Sequence, residues 1–122
     1  MSYTFDIGDD TLWGPANSVA RIFLGMVRTL SEEYQVPSGV GDDLMGMVEI
    51  DPVEFAAFVQ RVLTERANSL HMYKDMMLDG VLPILIAMAD RGRLGIVGGT
   101  PEERAYLEGV RVRKLPMLAP SQ

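Results

Sequence analysis

Tyr3-Thr-Phe-Asp-Ile-Gly-Asp-Asp-Thr-Leu-Trp-Gly-Pro15 decides the fold reading of this 122-residue chain. Tyr3, Phe5 and Ile7 alternate with Thr4 and Asp6, the two-residue period of a strand with one covered face. Gly8-Asp9-Asp10 has turn composition. Thr11-Leu12-Trp13 reads as a second short strand or an extended lead-in. Pro15 suits the first turn of a helix, where no backbone N–H is needed. An ordered domain is therefore expected to begin almost at residue 1.

The pattern then changes period. Val19, Ile22, Phe23, Met26, Val27, Leu30 and Tyr34 recur at three and four residues, giving a first helix over about 15–35 with one broad apolar face. Pro37 to Asp43 reads as a loop. Leu44 to Ile50 is open between helix and strand. Asp51-Pro52-Val53-Glu54 is a helix start: Asp51 caps, Pro52 takes the first helical position, and Glu54 has capping-box spacing. Apolar residues from Phe55 to Met77, Leu70 and Tyr73 among them, continue that helix to about Asp79, where Gly80 ends or bends it. Unbroken, those 28 residues would span roughly 42 Å.

Val81 to Ala89 is apolar on every side, as a buried central helix requires. Gly92 to Gly99 is loop, and Thr100-Pro101-Glu102-Glu103 repeats the cap signal for a short helix over about 101–109 that Gly109 stops. Val110-Arg-Val-Arg-Lys-Leu115 alternates like a strand. The expectation is one α+β, mostly helical domain over 1–115. Three to four helices pack on a small sheet formed by the N- and C-terminal strands, and 116–122 is a tail.

Composition narrows the function classes. The chain is 48% hydrophobic and 23% charged, an ordinary globular balance. At this length folding buries roughly two-thirds of the chain's surface, enough for a self-sufficient core. There is no cysteine, which removes disulfides, thiolate catalysis and Cys-ligated metals. No basic stretch followed by an apolar one opens the chain, and the longest apolar run, nine residues from Val81, falls short of the roughly 20 of a membrane span. A soluble, cytoplasmic protein is expected. Residues 1–60 carry a net charge of −8 and residues 61–122 carry +2. The overall −6 disfavours nucleic acid and anionic membranes and favours a basic partner, besides serving solubility.

Each candidate site has a plainer structural reading beside it. His71 with Asp75 four residues on could be a general base or half a metal site, or an exposed helical pair. Asp6, Asp9, Asp10, Asp42 and Asp43 offer cation ligands, but their spacing matches no calcium loop and also suits solvated turns. Gly92, Gly95, Gly98 and Gly99 meet no phosphate-loop pattern, and Glu102 and Glu103 would repel an anion at the next helix start. Nine methionines, with Met72, Met76 and Met77 clustered, could line an adaptable groove or fill a core.

The run Tyr3-x-Phe5-Asp6-Ile7-Gly8-Asp9-x-Thr11-Leu12-Trp13-x-Pro15, followed by Asn17, Val19-Ala20-Arg21 and Phe23-Leu24, resembles the opening of a family of small, uncharacterised actinobacterial proteins. Glu49-Ile50-Asp51-Pro52 with Phe55 and Phe58-Val59 is similar to that family's second block. The resemblance covers roughly the first 65 residues. The family is one of unknown function, so the resemblance implies no catalytic residue. It implies that Trp13 and Pro15 are a structural signature.

The favoured expectation is a non-enzymatic cytoplasmic binding protein, an inhibitor or immunity partner of a basic protein. Asp9, Asp10, Asp42 and Asp43 would make the contact. The alternative is a small-molecule-binding or accessory enzyme with a pocket near Tyr73, Met77 and Met88. No catalytic residue, metal or other cofactor is expected, and self-association is left open.

Overall fold

A computed structural model describes residues 2–115. The C-terminal tail expected at 116–122 lies outside the described residues. Two β-hairpins, each followed by a helix, precede two further helices. The elements are β1 (Thr4–Ile7), β2 (Asp10–Trp13), α1 (Asn17–Tyr34), β3 (Val40–Leu44), β4 (Met47–Ile50), α2 (Pro52–Ala67), α3 (Met72–Arg91) and α4 (Pro101–Arg113). The chain is α+β and mostly helical.

The strands form one sheet in the order β2-β1-β4-β3. Both hairpins are antiparallel, and β1 pairs with β4 in parallel, with Phe5 opposite Val48 and Asp6 opposite Glu49. Alternation divides the faces. Phe5, Val48 and Ile50 are buried on one side, whereas Met47 and Glu49 are exposed on the other. The sheet is therefore one layer and the helices the second.

The 44–50 segment proves to be a hairpin. Leu44 pairs with Met47, so the connection is the two-residue Met45-Gly46 turn. Both turn residues have positive φ, 58° and 83°, as the primed turns that match strand twist require. The Asp43 carboxylate accepts the Gly46 N–H at 2.6 Å and closes the turn. Upstream, Gly39 has φ +75°, and a Cβ there would come within 2.5 Å of the Phe55 nitrogen. The 37–43 stretch, expected as loop, thus gives most of its length to β3.

The C-terminal segment corrects the sheet expected from the two chain ends. Val110–Leu115 does not pair with Tyr3–Ile7, because α4 runs on to Arg113. Alternation of Val and Arg was ambiguous. Leu107 and Val110 are buried at helical spacing and Val112 is exposed, so only the helix buries the right residues. Arg111 then donates twice to Asp90, both bonds at 2.9 Å, and to the Ile96 carbonyl at 2.8 Å. Gly109 is passed without a stop.

The long helix expected from Asp51 to Asp79 is two helices. Asn68, Ser69 and Leu70 interrupt it, and Leu70 is fully exposed rather than part of an apolar stripe. The Ser69 hydroxyl accepts the His71 N–H, and His71 Nδ1 accepts the Lys74 N–H as the cap of α3. Conversely α3 continues through Gly80 and Pro83, since packing of Leu78, Val81, Leu82, Leu85, Ile86 and Met88 outweighs the lost backbone bond. The central buried helix is thus confirmed, with a longer span. Pro15 stands outside α1, which begins after Ala16; its carbonyl accepts the Tyr3 N–H at 3.0 Å. Asp51 caps α2 through the Glu54 N–H at 3.0 Å, as its spacing requires.

Phe5, Trp13 and Phe23 join the layers. Phe5 stacks on Trp13 with ring centroids 5.8 Å apart, and Phe23 of α1 meets Phe5 edge-on at 5.3 Å.

Candidate functional site

The fold gathers the negative charge into one layer. The strands and their tight turns, residues 4–13 and 40–50, contain Asp6, Asp9, Asp10, Asp42, Asp43 and Glu49 and no Lys or Arg. These six acids equal the net charge of −6, and the remaining eleven acids are matched by eleven bases. The acidic half seen along the sequence is thus an acidic sheet in space.

The four aspartates expected as a contact are not brought together. Asp9 and Asp10 lie at the β1–β2 end and Asp42 and Asp43 on β3, the opposite edge of the sheet. Three strand spacings separate β2 from β3, roughly 14 Å. Each edge also has basic neighbours. A depression of about 840 Å³ holds Asp9 and Asp10 together with Arg91 and Arg93. A smaller one, about 220 Å³, holds Asp42 and Asp43 with Arg28 and Glu32.

Between these edges lies a pair that sequence reasoning missed. Asp6 and Glu49 sit side by side on β1 and β4, on the open face. Like charges in cross-strand register destabilise a sheet unless each finds donors. Asp6 accepts the Thr11 hydroxyl at 2.7 Å and the Thr4 hydroxyl at 3.0 Å, and Glu49 accepts the Gly8 N–H at 3.3 Å. Asp43 accepts the Tyr3 hydroxyl at 2.8 Å, which raises the Tyr3 phenol above its ordinary range. Asp6 was visible in the sequence, but its pairing with Glu49 depends on the parallel contact of β1 with β4.

The methionine set is also redistributed. Met77 lines an apolar groove of about 720 Å³ between α1 and α3, with Ile22, Gly25, Met26, Thr29 and Leu30 as the opposite wall. Tyr73 is exposed and does not line it, and Met88 is wholly buried in the core. The expected Tyr73/Met77/Met88 set is therefore not one pocket. The α1 wall was signalled by an apolar face too broad for one core contact: Ile22 is 66% exposed. The groove is closed at one end by Tyr34, whose ring carries Lys74 at 5.6 Å and Arg61 at 5.4 Å.

The remaining candidates take structural roles. His71 caps α3, and Asp75 lies 3.7 Å from Arg66. Among the described residues no group of three or more His, Asp or Glu is placed to hold a metal ion. The amides at the start of α4 are occupied from within: the Glu103 carboxylate accepts the Gly99 N–H at 3.0 Å, and the Thr100 hydroxyl accepts the Glu103 N–H at 3.1 Å. The glycine loop is braced by Gln60, which exchanges two hydrogen bonds with the Val97 backbone. Asp79 joins α2, α3 and α4 through Arg66 at 2.8 Å and the Tyr106 hydroxyl at 2.7 Å. Burial, then the bond to Asp79, pushes the Tyr106 phenol far up. No helix among the described residues is long and apolar enough to cross a membrane.

These features define a small two-layer α+β domain with an acidic open sheet and an apolar groove between helices. The chain belongs to a family described as "Family of unknown function (DUF6086)", whose model matches residues 1–117. That agrees with the resemblance of its first two blocks to an uncharacterised family. No curated protein and no solved structure matches the chain.

Proposed function

We propose that this chain is a non-enzymatic cytoplasmic protein-binding domain whose open acidic sheet face docks a basic protein, as an inhibitor or immunity partner would. The concentration of the whole net charge on one sheet supports the reading. Asp6 and Glu49 form the centre of the face, with Asp9, Asp10, Asp42 and Asp43 at its two edges. Such charges act mainly on encounter rate and salt dependence.

The test is association kinetics at two ionic strengths against a basic partner obtained by co-purification. Replacing Asp9, Asp10, Asp42 and Glu49 by their amides should slow association and flatten its salt dependence. An unchanged rate, or a partner held on the methionine surface, overturns the reading. The small-molecule alternative would use the α1–α3 groove. That groove is apolar, and its charged groups, Glu33 and Lys74, sit at the Tyr34 end, whereas ligand sites place a few converging polar groups around the ligand.

A further inference from the structure

Strand β3 is an edge of the sheet, and its last four residues, Gly41 to Leu44, are exposed. Along β4 the peptide groups alternate sides. The Gly46 carbonyl accepts the Thr4 N–H at 2.8 Å, so Gly46 and Val48 turn to β1. Met47 then serves β3, bonding Leu44 across the two-residue turn. Asp43, opposite Val48, is left with its N–H and C=O directed outward, away from the sheet. Outward backbone groups on an edge strand are a template for one more strand.

The surroundings select the strand that fits. Between β3 and α1 lies the depression of about 220 Å³, lined by the apolar Leu24 and Val27 and by Arg28, Glu32, Asp42 and Asp43. It is smaller than the roughly 300–1,000 Å³ of small-molecule sites. Apolar walls beside acids suit the stem and head of one lysine or arginine side chain. Three acids face one base there, and Glu32 and Asp42 have no hydrogen-bond or ion-pair partner among the described residues. The opposite edge is less suited, because Arg91 and Arg93 stand beside Asp9 and Asp10. A second copy does not fit β3 either. Pairing β3 with itself would bring the Asp42 and Asp43 of two chains together, and like charges keep edge strands from self-pairing.

We infer that a basic partner is held by strand addition: an extended segment with lysine or arginine at alternate positions lies along the outer edge of β3, takes the Asp43 N–H and C=O into its ladder and drops one basic side chain between β3 and α1. This mode rests on the docking of a basic protein proposed above and specifies where the chain of that partner runs. In such contacts backbone bonds give affinity and the side-chain slot gives specificity.

The probe is an acetylated and amidated octapeptide of alternating lysine and threonine, added at millimolar concentration to the full chain and followed by amide NMR and hydrogen exchange. It should slow exchange of the Asp43 amide roughly tenfold and shift the signals of Leu24, Val27 and Glu32. The same peptide N-methylated at every residue keeps its charge and should give no protection. Glu32→Lys, an exposed change on α1, should weaken binding about fivefold and leave the melting temperature unchanged. Shifts confined to Asp6, Thr11 and Glu49, with Asp43 unprotected, overturn strand addition and leave the acidic face as the docking surface. Equal binding by the N-methylated peptide does the same. Failure of both peptides to bind also overturns strand addition, and the acidic-face reading then answers to the kinetics of the co-purified partner alone.

Discussion

The Trp13 indole stands edge-on to the Phe23 ring, with centroids 5.2 Å apart and planes at 86°. This contact ties the end of the first hairpin to the helix that follows it. Edge-to-face packing adds about 0.5–1.5 kcal/mol beyond the buried area. The indole Nε1–H is buried without an acceptor among the described residues, so Trp13 is held by its apolar body.

Trp13→Ala should therefore destabilise the fold by about 3–5 kcal/mol, as for other large aromatic truncations. Trp13→Phe should cost clearly less, under about 1.5 kcal/mol, because it keeps an aromatic ring and removes the unsatisfied donor. Urea unfolding of both variants checks the pair. Equal losses would place the stabilisation in the shape and area of the full indole instead of in an aromatic ring at this position.

Glu103 accepts hydrogen bonds from the Gly99 N–H and, at 3.3 Å, from the Thr64 hydroxyl of α2. It is the one buried charged residue among those described. Glu103→Ala should cost about 1–3 kcal/mol by stranding those donors. Glu103→Gln should recover most of the loss, since its amide keeps an acceptor for Gly99 and a donor for the Thr64 oxygen. Thermal melts at neutral pH separate the two.

The Arg66 guanidinium, hydrogen-bonded to Asp79, holds the Asp79 carboxyl below its ordinary range. Its folded pKa lies under its unfolded one, so the stabilisation is full above about pH 4 and is lost as pH falls through the folded value. Asp79 is partly exposed, which keeps the effect under about 1 kcal/mol. Asp79→Asn should flatten the stability–pH curve below pH 4 and leave its shape above pH 5 unchanged. Denaturant midpoints across that range give the readout.

Met45 has φ 58°, a conformation that favours Asn over a long side chain, and its side chain is exposed. Met45→Asn should stabilise the β3–β4 hairpin by about 0.5 kcal/mol. Gly46→Ala should destabilise it, because φ 83° strains any side chain. Opposite signs at adjacent positions would establish the turn type in solution.

Much of the site's raw material was legible in the chain. The acids, the surplus apolar face of the first helix and the methionines around Met77 are all sequence features. Their grouping was not. Asp9–Asp10 and Asp42–Asp43 look alike on paper, yet strand order sends them to opposite edges and puts Asp6 beside Glu49. Met88 and Met77 share a helix, but one faces the core and the other the groove. Periodicity alone cannot say which side of a helix has a neighbour.

By itself the sequence determined the local frame. The alternation at Tyr3–Ile7 made β1, the three-and-four spacing made α1, and Asp51 and Thr100 set the starts of α2 and α4. Caps and periodic burial act within a turn or two, so they can be read from neighbours in the chain. Tertiary structure decided the rest: the break at Asn68–His71, the helical course of Val110–Arg113, the parallel pairing of β1 with β4, and the separation of an acidic sheet from an apolar groove. Those outcomes depend on contacts between residues far apart in the chain, such as Arg111 with Asp90 and Phe5 with Val48. Such contacts can overrule an ambiguous local pattern when the helix or sheet they permit buries more apolar surface.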